Sequence, residues 1–244
     1  MSSQFLILTL SGWLGVMAVV LIASLSPDFK NRPPLVFKYP QRERNAALIS
    51  VSLFFLISIA LAWLTPDWIM ALPDRFSPME WSIAVLSLLI ALIASLILQY
   101  RKQPLLSFGW HKKLWRPASR LAIALVFLVF FLSGAISHAK TILTSDALLT
   151  FLLLIIIYLA WETAFRGFLQ PRFSAWLGQT WGWLFTSLLA ILLILPIGIS
   201  FGMSNEFLFR IIGNQLMLGW IMTRSGHVFP GALWVAASTW LTFA

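Results

Sequence analysis

The sequence predicts an all-α protein: a polytopic transmembrane helical bundle of about eight spans, folded as a single membrane domain over residues 1–244. Three observations predict it. Of the 244 residues, 60% are hydrophobic and 10% charged, with a mean hydropathy of +0.89, whereas soluble domains carry about 25% charged residues. The apolar residues come in runs of 16 to 21, long enough to cross a hydrocarbon core about 30 Å thick. The basic residues gather in alternate loops between those runs. Such a composition excludes an ordinary water-soluble globule, a disordered chain and a disulfide-stapled secreted domain. Cysteine is absent, which excludes thiol catalysis, Cys-ligated zinc and disulfides.

The first predicted span is Phe5–Leu25. No Lys or Arg precedes it, unlike the basic start of a secretory signal, so it is read as a retained span. Ala46–Leu64, Trp81–Leu98 and Leu121–His138 follow, completing four generic N-terminal spans over residues 1–146. The core, residues 147–244, holds Ala147–Glu162, Trp183–Ser200, Phe207–Met222 and Val228–Ala244. Pro33 and Pro34 punctuate the first loop, and Pro66, Pro73 and Pro78 the second. Neither loop is long enough for a second domain.

Charge sets the orientation. One set of alternate loops collects Lys30, Arg32, Lys38, Arg42, Arg44, Arg101, Lys102, Lys112, Lys113, Arg116, Arg120, Arg166, Arg172 and Arg224, leaving Arg75, Lys140 and Arg210 for the other side. By the positive-inside rule the first set is cytoplasmic and both termini lie opposite. The net charge of +9 therefore reports topology, and no nucleic-acid partner is expected. The loop Tyr100–Arg120 interleaves Phe108, Trp110 and Trp115 with Lys and Arg. It reads as an interfacial segment against anionic headgroups.

Ionisable residues inside spans are costly and mark functional sites by default. Glu162 and Arg166 are four apart and share a helix face. Glu162 reads either as a base that activates water or as half of a structural ion pair, with Arg166 snorkelling to the interface. Glu206, Arg210 and Asn214 repeat at the same spacing, with Gln215 alongside. Such a stripe faces the bundle interior or a wet cavity. It serves as a hydrogen-bond seam between helices or lines a binding site for a ligand or partner.

The stretch Trp161-Glu162-Thr163-Ala164-Phe165-Arg166-Gly167-Phe168-Leu169 resembles the first motif of the CAAX prenyl protease type II and bacteriocin-processing (CPBP, or Abi) membrane proteins, Glu-Glu-x-x-x-Arg continued as Phe-Arg-Gly-x-Leu. Glu162, Phe165, Arg166, Gly167 and Leu169 match, and Trp161 stands in place of the first glutamate. Gly213 to Gly226 is similar to the family's Gly-rich span and Arg-containing turn. The resemblance covers about Leu148 to Ala244. It implies a helical membrane fold and, in an intact member, an intramembrane endopeptidase.

The departures fall on the reacting groups. In the second motif, a Phe followed four residues later by His, Ala190 takes the Phe slot and Ile194 the His slot. In the third, His-x-x-x-Asn, Val235 takes the His slot and Thr239 the Asn slot. Three histidines remain elsewhere. His111 is read as interfacial. His227 precedes the slot of Val235 by two helical turns. His138 sits at the opposite membrane level from Glu162, roughly 24 Å away by helical rise. No cluster with the three or four ligands of a metal site is evident, and no cofactor is expected.

The sequence thus predicts a CPBP-like bundle without its catalytic constellation. It would act as a binding or scaffold subunit for a membrane-protein partner, a hydrophobic peptide or a lipid. The alternative is an active endopeptidase using Glu162 and Arg166 in a divergent site, helped by Glu206, Asn214 or His227. A transporter lined by Glu206, Arg210 and Asn214 is a third class. It lacks the paired broken helices and inverted-repeat hydropathy that would announce it.

Overall fold

The computed structural model describes residues 3–31, 35–63, 76–134 and 144–241. Eight helical rods account for most of them, and each predicted span has its counterpart. They are α1 (Ser3–Ser24), α2 (Pro40–Trp63), α3 (Pro78–Tyr100), α4 (Trp115–Leu132), α5 (Ser145–Glu162) continuing into α6 (Gln170–Leu177), α7 (Gln179–Ser200), α8 (Asn205–Ser225) and α9 (Phe229–Trp240). The predicted span ends at Leu64, His138 and Ala244 lie outside the described residues, as do Arg32, Pro33, Pro34, Pro66, Asp67, Pro73, Asp74, Arg75 and Lys140.

Helix starts follow local chemistry. Ser77 and Glu80 form a reciprocal capping box ahead of α3, with Pro78 in its first turn, which satisfies two otherwise orphaned amides. Thr144 and Ser204 cap α5 and α8 by accepting the N–H groups of Ala147 and Phe207. Gly226, at φ +66°, ends α8 in the left-handed conformation that glycine adopts without penalty.

Six helices among the described residues are long and apolar enough to cross a membrane. The seventh and eighth predicted spans are α8, which carries Glu206, Arg210 and Arg224, and α9, only 12 residues long. α9 is nonetheless the centre of the bundle. It packs against α4 on one side and α5 on the other, and its Gly231, Ala232, Ala236 and Ala237 are buried. Small residues let helix backbones approach closely where lipid offers no hydrophobic drive. α1 lies at the edge against α4 and α8, while α2, α3 and α7 enclose the other flank.

The structure corrects one reading of the chain. Glu162 was expected near the end of a span, with Arg166 and Arg172 in the loop beyond. Instead the rod runs from Ser145 to Leu177, 33 residues without interruption. Residues Thr163–Leu169 form a π-helical segment, a register frequent at functional sites. Pro171 lies just beyond it. Its ring nitrogen has no hydrogen to donate to the preceding turn, and the wider turn accommodates that gap. Arg166 and Arg172 are fully buried, so neither snorkels to water.

The loop Tyr100–Arg120 is also less superficial than its composition suggests. It forms two short 3₁₀ turns, Leu105–Phe108 and Lys112–Leu114, which tuck against the π segment. Phe108 is buried edge-on to Phe168, with ring centroids 6.2 Å apart. Trp110 Nε1 donates to Thr163 Oγ1 at 3.3 Å. Lys112, Lys113, Arg116 and Arg120 stay exposed, and Trp115 is partly so.

Candidate functional site

The predicted pairing of Glu162 with Arg166 is present and buried. Arg166 Nε lies 3.8 Å from Glu162 Oε2, with both side chains almost wholly out of contact with solvent. The rest of the guanidinium is bound by groups that the spacing did not reveal. Arg166 Nη2 donates to the Gln215 carbonyl at 2.7 Å and to Gln215 Oε1 at 2.8 Å. Arg166 Nη1 donates to Ser187 Oγ at 3.3 Å. Ser187 in turn donates to the Gln215 carbonyl, and Trp161 Nε1 to Gln215 Oε1. One arginine therefore ties the π segment to α7 and α8. Glu162 Oε1 is buried with no hydrogen-bond partner. Its other oxygen faces Gly231 of α9, where a Cβ would sit 3.4 Å from Oε2.

The polar stripe of α8 is divided. Arg210 and Asn214 border a central cavity of about 100 Å³ enclosed by α3, α5, α7, α8 and α9. They also border a second groove that opens between α1 and α4. Asn214 Oδ1 accepts the Trp13 indole N–H at 2.9 Å. The Trp13 ring fills the place that a side chain on Gly213 would occupy. Glu206 does not join them: it sits in the first turn of α8, where a carboxylate suits the helix dipole.

The central cavity is where the departures from the family motifs converge. Trp161, Ile194, Val235 and Thr239, read from three separated stretches of sequence, all line it. Thr239 Oγ1 and Tyr158 Oη are 2.9 Å apart on its wall. Glu80 also contributes a carboxylate to the lining, but Oε2 accepts from the Ser77 amide and hydroxyl, each at 2.8 Å. Glu162 is adjacent to Trp161 yet is not part of the lining; its carboxylate turns to Arg166 and α9.

Neither described histidine approaches this cavity's lining. His227 is buried among Trp110, Trp115 and Phe229, and its Nδ1 accepts the Phe229 N–H at 3.1 Å. Burial first, and the neighbouring His111 second, push its pKa down to about 4. His111 was expected at the interface but is buried, with neither ring nitrogen hydrogen-bonded. Burial, then the charge of Lys113, lowers its pKa. His138 lies outside the described residues. Among the described residues no group of three or more His, Asp or Glu is placed to hold a metal ion.

Sequence reasoning missed a second buried network at the basic end. Glu43 of α2 accepts from Arg101 Nη2 at 2.6 Å, from Gln103 Nε2 at 2.7 Å and from Arg172 Nε at 3.0 Å. Arg172 also donates to the Phe168 and Ser107 carbonyls and to Gln103 Oε1, and stacks 3.9 Å above the Phe168 ring. The hint was a lone glutamate within an otherwise basic loop.

No curated protein and no solved structure matches this chain. Residues 143–241 match the family model described as type II CAAX prenyl endopeptidase Rce1-like. The matched region runs from the start of α5 to the end of α9, and so contains the π segment, the Arg166 network and most of the cavity lining. Over these residues the chain is similar to the Rce1-like helical membrane proteins, and the match supports membership of the CPBP group that the Glu162–Leu169 motif resembles.

Proposed function

We propose that this protein is a binding or scaffold subunit that holds a hydrophobic segment in its central cavity instead of cleaving it. The observation that carries this reading is the convergence of Trp161, Ile194, Val235 and Thr239 on one cavity, at the positions where the resemblance sets a reacting Glu, two His and an Asn. Peptide hydrolysis needs a base to activate water and donors to hold the developing oxyanion. Losing one oxyanion donor alone costs roughly 10²–10³ in rate. An indole, two aliphatic side chains and a threonine supply contact area and one hydroxyl in their place. Glu162 keeps its carboxylate, but faces Arg166 and away from the cavity. A cavity of about 100 Å³ takes one apolar group, so the occupant that suits it is a side chain or chain end of a hydrophobic peptide, a prenyl-like chain or a partner's transmembrane helix. With the basic loops cytoplasmic, the Glu80 and Arg210 end of the cavity faces the opposite compartment.

The test uses purified wild type and Glu162→Ala on a panel of membrane peptides, together with a fluorescent farnesylated peptide as binding probe. Neither protein should cleave. Wild type should bind the probe saturably, and Val235→Phe, which fills the cavity, should weaken binding about ten-fold or more, or ~1.4 kcal/mol. Cleavage by wild type that Glu162→Ala abolishes would overturn the proposal in favour of an endopeptidase acting through Glu162.

A further inference from the structure

At the basic end of the bundle, away from the central cavity, a second and larger cavity of about 550 Å³ opens between the end of α1, the start of α7 and the end of α8. Two cationic side chains line it, Lys30 and Arg224, and among its lining residues none is acidic. Arg224 lies over the Trp220 ring, 5.7 Å from its centroid, which orients the guanidinium. Gln179 and Thr180, the first residues of α7, complete the wall. The partial positive charge and free amides of a helix start add to the field of the two cations.

The position of this cavity says which anion it suits. Ser24 ends one membrane-crossing helix and Gln179 begins another, and both lie on its wall. It therefore sits at the level where two apolar spans leave the membrane. Leu25, next in the chain to Ser24, and Trp181, next to Thr180, are large apolar residues at least 65% exposed. The recess is cationic and hydroxyl-bearing, and it adjoins the ends of two apolar spans. That arrangement matches the two halves of a phospholipid, whereas a free phosphate would use only the recess. Basic pockets between helices at the cytoplasmic face recognise anionic headgroups in this way.

We infer that the Lys30–Arg224 cavity is a binding site for the phosphate-bearing headgroup of an anionic phospholipid, with its acyl chains running towards the adjoining apolar spans. Native mass spectrometry of the full chain in detergent, titrated with dioleoyl phosphatidylglycerol or dioleoyl phosphatidylcholine, tests it. Wild type retains one phosphatidylglycerol in preference to phosphatidylcholine. Lys30→Gln/Arg224→Gln weakens that binding by roughly ten-fold or more. Thr180→Trp, which fills the mouth without altering charge, also weakens it. Lys112→Gln/Lys113→Gln, equally basic and at the same end, leaves it unchanged. The inference fails if phosphatidylcholine binds as well as phosphatidylglycerol. It also fails if the double variant or Thr180→Trp, still folded by thermal unfolding, keeps wild-type retention, or if the Lys112/Lys113 control loses as much. Full displacement by millimolar inorganic phosphate would assign the recess to the free anion and overturn the lipid.

Discussion

The backbone of Gly167 lies directly beneath the carbonyl of Phe108, so close that a Cβ at 167 would overlap that oxygen. The neighbour is main chain, held in its 3₁₀ turn, and has little freedom to give way. Gly167→Ala should therefore destabilise the protein by about 1–3 kcal/mol, the usual cost of forced overpacking. Gly12→Ala is the control: it too is helical, but nothing lies within 4 Å of its Cβ position, and alanine favours helix. Thermal unfolding in one detergent should show a lower Tm for Gly167→Ala and an equal or higher one for Gly12→Ala. Equal Tm values for wild type and Gly167→Ala would mean that the 105–108 turn does not clamp the π segment.

Arg166 and Glu162 make a second measurable unit. Removing one member of a buried pair leaves the other charge unpartnered, at a cost of about 3–5 kcal/mol. Removing both with residues of similar size is much cheaper. Arg166→Met should thus destabilise strongly, all the more because Gln215 and Ser187 lose their donors. Glu162→Gln should cost less, since Arg166 keeps those acceptors. A double-mutant cycle read by chemical denaturation should give a coupling above about 1 kcal/mol. Strict additivity would show that the 3.8 Å approach contributes nothing.

How far the sequence revealed this arrangement depends on the range of the interaction. Apolar run length and alternate basic loops are local signals, and they placed all eight rods. The i, i+4 spacing likewise announced Glu162–Arg166, because the helix itself sets that geometry. Gln215 and Ser187 were hidden as Arg166 partners because they sit on α8 and α7, and only packing brings them within reach. The passage from Glu162 to Leu177 was misread as a loop because two arginines and Pro171 look like the end of a span. Burial inside the protein, not beside lipid, lets the helix continue through them. The cavity was legible only through motif alignment. No local property of Ile194 or Val235 distinguishes them from other aliphatic residues of their helices.

His227 carries a pH prediction. Its pKa falls from the ordinary value near 6.5 to about 4 on burial, so between those values the unfolded chain binds a proton that the folded chain refuses. Stability contributed by the neutral imidazole is complete above about pH 6.5 and is lost as pH falls towards 4. His111, shifted in the same direction by burial, adds to the slope. Wild type should lose Tm between pH 7 and 4.5. His227→Gln, although less stable at pH 7, should lose less across that range. Parallel pH profiles for the two proteins would show that His227 titrates normally in the fold.

Glu43 joins two arginines of unequal exposure, and that inequality ranks the substitutions. Arg172 is fully buried, while the Arg101 side chain is 21% exposed. Water can replace part of what Arg101 loses, but none of what Arg172 loses. Arg172→Gln should therefore destabilise by about 3 kcal/mol or more, and Arg101→Gln by about 1 kcal/mol or less. Glu43→Gln should fall between the two, because Arg172 loses its counter-charge but keeps the Phe168, Ser107 and Gln103 acceptors. Salt separates the two contacts further, since screening acts mainly on exposed charge. Raising NaCl from about 0.1 to about 1 M should shrink the Arg101→Gln effect and leave that of Arg172→Gln intact. An equal response of both variants to salt would place Arg172 in contact with water and open the network that joins α2 to α6.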